Sequence, residues 1–82
     1  MITKEMIFAR IQKLLVEVFE LDESSIALDS HIYEDLDLDS LDAVELAVTL
    51  GAETGITLRE EELRAIRTIA DAVDILYQRI NV

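Results

Sequence analysis

Apolar residues recur every three or four positions in the first part of the chain. In the stretch 4–19 they are Ile7, Ile11, Leu14, Leu15, Val18 and Phe19. This spacing is that of an amphipathic helix with one apolar face. Thr3 is placed to cap the helix start, and Glu5 in the first turn complements the helix dipole. The pattern therefore predicts a first helix from Lys4 to Phe19.

The helical period is lost between Leu21 and Asp39. Turn-forming residues interrupt this stretch, namely Ser24, Ser25, Asp29 and Ser30. Its apolar residues, which follow no helical phase, are Ile26, Leu28, Ile32 and Leu36. The only strand-like alternation in the chain is that from Leu36 to Leu38. A loop of this length is uncommon in so short a chain and is usually functional. We therefore expect a long first loop that its apolar side chains pin to a core.

Three further helices are predicted after this loop. The second helix should begin at Ser40 and end near Gly51, with Asp39 as its N-cap and Asp42 completing a capping box. A short polar helix is predicted over 59–63. The last helix should begin after Thr68, which Asp71 follows in the same cap pattern, and end near Arg79. Its apolar stripe consists of Ile69, Ala72, Val73, Leu76 and Ile80. The sequence thus predicts an all-α fold, a small four-helix bundle with three major helices, one short helix and a long first loop.

Composition limits what such a chain can do. With 82 residues, of which 51% are hydrophobic, residues 1–82 should form a single domain with one core and no room for a large internal active site. The chain has no cysteine, which excludes disulfides and thiolate metal sites. No apolar run approaches the roughly 18 residues of a membrane span, and Lys4 and Glu5 interrupt any signal-peptide core. We expect a cytoplasmic monomer without stable membrane insertion.

Negative charge is concentrated in the middle of the chain. The formal net charge is −11, and thirteen of the 18 acidic residues lie between Asp22 and Glu62, together with a single basic residue, Arg59. A field of this sign repels nucleic acid and attracts positively charged protein surfaces. We therefore expect no nucleic-acid partner and interpret the acidic middle as a docking region.

Two chemical interpretations of the acidic segment 34–42 are disfavoured. Asp35, Asp37 and Asp39 match the first three ligand positions of an EF-hand loop, but Ser40 replaces the glycine and Leu46 the bidentate glutamate that the loop requires, so no metal site is predicted. Ser40 as a catalytic nucleophile would need a general base and oxyanion donors, yet the only histidine, His31, lies nine residues upstream. We therefore expect no catalytic residue and no enzymatic activity.

The second helix carries two apolar stripes. Leu41, Val44 and Val48 form one stripe, with Asp42 and Glu45 beside it, and the other consists of Ala43, Leu46, Ala47 and Leu50. Either both stripes are buried in the bundle, or the first is exposed as an apolar contact ringed by carboxylates. Ser40 itself is either an ordinary first-turn residue or an exposed attachment point for an anion at the positive end of the helix dipole.

A family resemblance bears on these alternatives. The run Glu34-Asp35-Leu36, followed by Asp39-Ser40-Leu41-Asp42 and Val44-Glu45-Leu46, resembles the modification site of the acyl carrier proteins of type II fatty acid synthesis. The similarity extends to Gly55-Ile56-Thr57-Leu58, to Glu60-Glu61 and to the stretch from Ile66 to Val73. It thus covers nearly the whole chain.

The resemblance implies a site, a cofactor and partners. Ser40, beside its helix cap Asp39, would receive 4′-phosphopantetheine from coenzyme A through a separate phosphopantetheinyl transferase. The thiol of this arm would hold acyl groups as thioesters for fatty acid, polyketide or specialised lipid synthesis. The transferase and acyl-transferring enzymes would bring basic docking patches to the face formed by Leu41, Asp42, Val44, Glu45 and Val48.

Several positions depart from the family pattern. Asp37 stands where glycine is usual, which should make the loop stiffer and more charged, and Arg59 stands where proline is usual. Gly51 and Ala52 replace acidic residues, and Thr54 replaces a phenylalanine, which should remove apolar volume near the acyl pocket. We therefore expect a specialised carrier, serving for instance polyketide, modified-lipid or cell-envelope synthesis. A peptidyl or D-alanyl carrier and an unmodified acidic interaction domain stay open as alternatives.

Overall fold

Four α-helices and one 3₁₀ turn follow one another in a computed structural model of the chain, which describes residues 2–80. They are α1 (Lys4–Phe19), the 3₁₀ turn (Glu23–Ser25), α2 (Ser40–Thr54), α3 (Glu60–Ala65) and α4 (Ile69–Ile80). Residues 2–80 contain no β-strand, and one isolated antiparallel bridge joins His31 to Thr68. The predicted all-α architecture of three major helices and one short helix is confirmed.

The first helix has the predicted bounds and the predicted cap. The Thr3 hydroxyl accepts a hydrogen bond from the Met6 N–H at 3.2 Å, which satisfies one of the unpaired donors at the helix start. The buried side chains of α1 are Ile7, Ile11, Leu14 and Leu15. Phe19 is half-buried and packs against the core, whereas Val18, predicted in the same stripe, is exposed.

The long first loop is pinned to the core as predicted. Its buried apolar side chains are Ile26, Ile32, Leu36 and Leu38. Leu28, which was expected among them, is 50% exposed. Its carbonyl oxygen nevertheless accepts a hydrogen bond from the Ala70 N–H at 2.8 Å, and the Ile32 N–H donates to the Arg67 carbonyl at 2.8 Å. The loop is therefore fixed across the start of α4 before it reaches α2.

The second helix begins at Ser40 as predicted, but the predicted end near Gly51 is wrong. The helix continues to Thr54, and Gly55 is its C-cap, with a left-handed φ of 77° that glycine adopts without strain. The Gly55 N–H donates to the Gly51 carbonyl at 2.7 Å. Gly51 therefore lies inside the helix. The returning chain passes so close to it that a Cβ at this position would lie 2.5 Å from the Ile56 carbonyl oxygen.

The third and fourth helices complete the bundle. The short helix spans Glu60–Ala65 rather than 59–63, and the Arg59 N–H before it donates to the Glu62 side chain at 2.9 Å. Thr68 caps α4 as predicted, because its hydroxyl accepts from the Asp71 N–H at 3.2 Å and the Asp71 carboxylate accepts from the Thr68 N–H at 3.1 Å. The stripe of α4 buries Ile69, Ala72, Val73 and Leu76.

One hydrophobic cluster joins α1, α2, α4 and the first loop. The six-residue α3 places no fully buried side chain in this cluster. None of the helices within residues 2–80 has both the length and the apolar content that crossing a bilayer requires.

Candidate functional site

Ser40 stands at the first position of α2, beside a complete capping box. The Asp42 N–H donates to Asp39 Oδ1 at 2.8 Å, and the Asp39 N–H donates to Asp42 Oδ2 at 3.1 Å. The predicted cap is therefore confirmed. These hydrogen bonds do not use the Ser40 hydroxyl, and the residue is exposed. An enzyme can thus approach the serine oxygen without disturbing the helix start.

A phosphodiester attached to Ser40 fits this position. The N–H groups of Ser40 and Leu41 have no intrahelical acceptor, and they lie at the positive end of the helix dipole. Leu41 is 77% exposed, so the surroundings are open. The carboxylates of Asp39 and Asp42 add negative charge nearby, although each accepts a hydrogen bond from a backbone N–H. The covalent bond, rather than net charge attraction, would hold the group here.

The approach to Ser40 contains a residue in the left-handed region. Asp37 has a φ of 57°, a conformation that aspartate tolerates better than most residues other than glycine. Its two neighbours, Leu36 and Leu38, are buried, and the Leu38 N–H donates to the Ile32 carbonyl at 3.2 Å. The turn is therefore anchored on both sides, and its conformation explains why glycine is the easier residue at this position.

His31 and Asp35 are used within the loop. His31 Nδ1 accepts hydrogen bonds from the N–H groups of Tyr33 at 3.3 Å and Glu34 at 3.2 Å, while the His31 N–H donates to the Asp35 carboxylate at 2.7 Å. The imidazole therefore caps a turn. Across residues 2–80, no group of three or more His, Asp or Glu side chains is arranged to hold a metal ion. The carboxylates of the partial calcium motif thus do not converge.

The structure exposes one of the two apolar stripes of α2. Leu41, Val44 and Val48 are 77%, 45% and 67% exposed, respectively, whereas Leu46 and Leu50 on the opposite side are buried. The carboxylate side chains beside the exposed stripe are those of Asp42 and Glu45, the latter exposed. Of the two arrangements that the sequence left open, the structure has the one in which this stripe faces solvent. Its role in docking stays a prediction.

A groove and a cavity lie next to α2 and the segment that contains α3. The groove has a volume of about 430 Å³, and it is lined by Val44, Ala47, Val48, Gly51, Ala52, Gly55, Ile56, Thr57, Leu58 and Leu63. The cavity has a volume of about 30 Å³ and lies between α2, α3 and α4. Ala47, Leu58 and Leu63 line both spaces. The two spaces are therefore neighbours that share lining residues of α2, of α3 and of the segment before α3.

Sequence reasoning missed the groove, although its signal is present along α2. Ala47 and Gly51 follow Ser40 at spacings of seven and eleven residues, which places all three on one side of the helix. Their small side chains leave room beside the returning chain. The expectation for Thr54 needs correction, because its hydroxyl donates to the Leu50 carbonyl at 2.7 Å and the residue lines neither the groove nor the cavity.

Comparisons with known proteins agree with this geometry. Residues 9–76 match the family model described as "Phosphopantetheine attachment site". The chain is 35% identical over 80 residues to the acyl carrier protein of Petrotoga mobilis, covering 98% of this chain and 94% of the relative. It is 38% identical over 71 residues to acyl carrier protein 2 of Ralstonia nicotianae, covering 87% and 88%. It is also 36% identical over 75 residues to the acyl carrier protein of Treponema pallidum, covering 92% and 96%. The chain therefore belongs to the acyl carrier protein family, whose prosthetic group is covalently attached 4′-phosphopantetheine.

Proposed function

We propose that Ser40 is the attachment site of the phosphopantetheine arm and that the arm carries acyl groups as thioesters. The observation that carries this proposal is the exposed serine at the start of α2, whose hydroxyl is left out of the capping box formed by Asp39 and Asp42. The helix start is thus stable without the serine oxygen, which leaves that oxygen available for chemistry.

The attachment step requires a separate enzyme. The Ser40 oxygen forms a bond to the phosphorus of the phosphopantetheine group, the pyrophosphate bond of coenzyme A breaks, adenosine bisphosphate leaves, and the serine proton passes to a base on the transferase. His31 Nδ1 and the carboxylates of Asp39 and Asp42 already accept backbone hydrogen bonds. We therefore propose that the chain is a carrier rather than an enzyme.

The exposed face of α2 is proposed as the docking surface for the transferase and for acyl-handling enzymes. Leu41, Val44 and Val48 offer apolar contact, and Asp42 and Glu45 offer negative charge next to the modified serine. Charge complementarity accelerates the encounter with a basic surface, whereas apolar burial prolongs the complex. The charged residues should therefore affect the association rate constant, and the apolar residues should affect the dissociation rate constant.

The chain is proposed to be a specialised carrier with its own set of partner enzymes. Gly51 and Ala52 line the groove and offer neither the charge nor the bulk that the resemblance leads one to expect there. An uncharged groove wall at the end of α2 selects a different set of partner surfaces from an acidic one. Fatty acid, polyketide and modified-lipid enzymes are the classes to compare as partners.

The direct experiment is intact mass measurement after incubation of the chain with a phosphopantetheinyl transferase and coenzyme A. The proposed function predicts addition of one phosphopantetheine group and, with acyl-coenzyme A as donor, of one acylated group. A mass that does not change under conditions that modify a known carrier would contradict the proposal.

A further inference from the structure

The His31 side chain closes the turn that leads toward Ser40. Its Nδ1 accepts hydrogen bonds from the backbone N–H groups of Tyr33 at 3.3 Å and Glu34 at 3.2 Å. A backbone N–H can only donate, so Nδ1 carries no proton, and the proton of the neutral ring lies on Nε2. The turn as folded therefore requires the neutral imidazole in this one tautomer.

This turn and the residues that precede Ser40 form one hydrogen-bonded unit. The His31 carbonyl accepts from the N–H of Leu36 at 3.1 Å, and the Ile32 carbonyl accepts from the N–H of Leu38 at 3.2 Å. Leu36 and Leu38 are both buried, and Leu38 lies only two positions before the serine. The position of Ser40 thus depends on the same short segment that the imidazole closes.

Protonation of the ring is incompatible with both side-chain hydrogen bonds. A second proton would occupy Nδ1 and turn it from an acceptor into a donor that faces two other donors. The N–H groups of Tyr33 and Glu34 would then lose their acceptor. His31 is the only histidine of the chain, and histidine is the side chain that ordinarily changes charge between about pH 8 and about pH 5. Mild acidification should therefore open this turn.

Charged groups surround the ring on its own turn and across the antiparallel bridge to Thr68. The titratable and charged side chains of these two segments are Tyr33, whose ring centroid lies 6.0 Å from that of His31, Glu34, Asp35, Arg67 and Asp71. The Asp35 carboxylate accepts from the His31 N–H at 2.7 Å, and the Asp71 carboxylate accepts from the N–H groups of Arg67 and Thr68. The carboxylates attract a charged ring and Arg67 repels it, but neither of these two carboxylates replaces Nδ1 as an acceptor.

We propose that His31 is a positioning residue for the modification of Ser40: its neutral imidazole holds the turn before the serine in place, and its protonation releases the turn and slows attachment of the arm. His31 acts through the loop and takes no part in the bond-forming step. This inference rests on the proposed function and adds to it a pH dependence that belongs to the carrier rather than to its partner enzyme.

The variants His31→Asn and His31→Ala separate the acceptor from the charge. Asparagine offers a side-chain oxygen to nearby N–H groups ahead in the chain and does not titrate, whereas alanine offers no acceptor. The measurement is the initial rate at which a phosphopantetheinyl transferase modifies each full chain with coenzyme A, at about pH 8 and about pH 5.5. The ratio of variant to wild type at one pH removes the pH dependence of the transferase itself.

At about pH 8, His31→Asn should be modified at the wild-type rate, and at about pH 5.5 it should be modified about three-fold faster than the wild type, the scale of one partly exposed hydrogen bond. His31→Ala should be slower than the wild type by about the same factor at the higher pH and equal to it at the lower pH. The asparagine variant provides the comparison by itself if the alanine variant does not fold.

NMR of the unmodified chain tests the turn without the transferase. The imidazole ¹⁵N chemical shifts of the wild type should show the proton on Nε2 at about pH 8. The protection of the Tyr33 and Glu34 amides against solvent exchange, relative to an unfolded peptide at the same pH, should fall about five-fold on acidification to about pH 5.5. It should stay constant in His31→Asn. The amide of Leu15, in the core, is the internal reference and should keep its protection in both proteins.

The outcomes separate this inference from the proposed function. Absence of any mass addition in the wild type at the higher pH, under conditions that modify a known carrier, would contradict the proposed function. Normal loading with the same ratio of His31→Asn to wild type at both pH values would overturn the role of His31. A proton on Nδ1 at the higher pH, or Tyr33 and Glu34 protection that does not change with pH, would overturn it as well. Slower modification of His31→Ala by the same factor at both pH values would reduce His31 to a structural cap and reject the pH control.

Discussion

The carbonyl oxygen of Ile56 occupies the space in which a side chain of residue 51 would begin. A Cβ built on Gly51 would lie 2.5 Å from this oxygen, well inside van der Waals contact, and the obstacle is backbone rather than a flexible side chain. The chain after α2 thus turns back directly onto the helix at this residue. Gly51 is required for close packing, whereas Gly55 is required for its left-handed φ of 77°.

Replacement of Gly51 by alanine should therefore destabilise the protein, although alanine favours helix by about 1 kcal/mol over glycine. We expect a net loss of about 1–3 kcal/mol in the free energy of unfolding, as for other overpacked sites. Urea unfolding followed by circular dichroism measures it. Ala52→Gly, at the neighbouring exposed position, is the control and should lose only the propensity of about 1 kcal/mol. A Gly51→Ala variant more stable than the wild type would show that the contact with Ile56 is not restrictive.

Val44 and Val73 should respond differently to truncation. Val44 is 45% exposed and Val73 is 2% exposed. Val44→Ala should change the free energy of unfolding by less than about 1 kcal/mol and weaken the complex with the transferase with little dependence on salt. Val73→Ala should cost about 1–3 kcal/mol of stability and leave the kinetics of the folded fraction unchanged. Melting curves measure the change in stability of each variant, and transferase kinetics measure the change in its complex with the enzyme. Lost stability with normal kinetics for Val44→Ala would assign this side chain to the core.

Glu45→Lys tests the charge on the same face. The substitution should slow association with a basic transferase, by an effect of about 1 kcal/mol or less for an exposed charge, and this effect should shrink as salt screens it. Association rates at low and high ionic strength measure it. A change confined to the dissociation rate, or one that does not depend on salt, would argue against electrostatic docking at Glu45.

Asp71 makes part of the stability dependent on pH. Hydrogen bonds from the N–H groups of Thr68 and then Arg67 lower the pKa of its carboxyl. A carboxyl with a lowered folded-state pKa stabilises fully above its ordinary pKa of about 4 and loses this contribution as pH falls through the folded-state value. Acidification below about pH 4 should therefore destabilise the wild type more steeply than Asp71→Asn.

The measurement is urea unfolding between about pH 3 and pH 7. The difference attributable to Asp71 should be under about 1 kcal/mol, since solvent screens the group. Asp29→Asn removes one exposed loop carboxylate and is the charge-matched control. Equal acid slopes for Asp71→Asn and the wild type would exclude a contribution from this cap.

The parts of the fold that the sequence predicts are those determined by neighbours in the chain. The caps at Thr3, Asp39 and Thr68 each need a partner three residues away, so their spacing predicts them. The end of α2 could not be read in the same way, because Gly51 is explained by its contact with the returning backbone. A local pattern cannot distinguish a glycine that ends a helix from one that makes room for another segment.

In the site, too, the sequence predicts the features that depend on chain neighbours and not those that depend on distant segments. The exposed serine and its cap follow from the local sequence around residues 39–42, and helical periodicity separates the two stripes of α2. Periodicity could not say which stripe faces solvent, since that depends on where α4 and the loop pack. The contacts of Arg79 span 17 residues to Glu62 and 22 to Thr57, and no local pattern indicates them.

The position of the arm is the central claim, and Ser40→Ala tests it most directly. Intact mass should show one phosphopantetheine group on the wild type after reaction with transferase and coenzyme A, and complete loss of that addition in Ser40→Ala. The variant should fold normally, because the Asp39 and Asp42 hydrogen bonds that start α2 remain. Ser25→Ala, at an exposed serine of the 3₁₀ turn, should be modified as the wild type is. A phosphopantetheine addition of equal extent on Ser40→Ala would contradict the account.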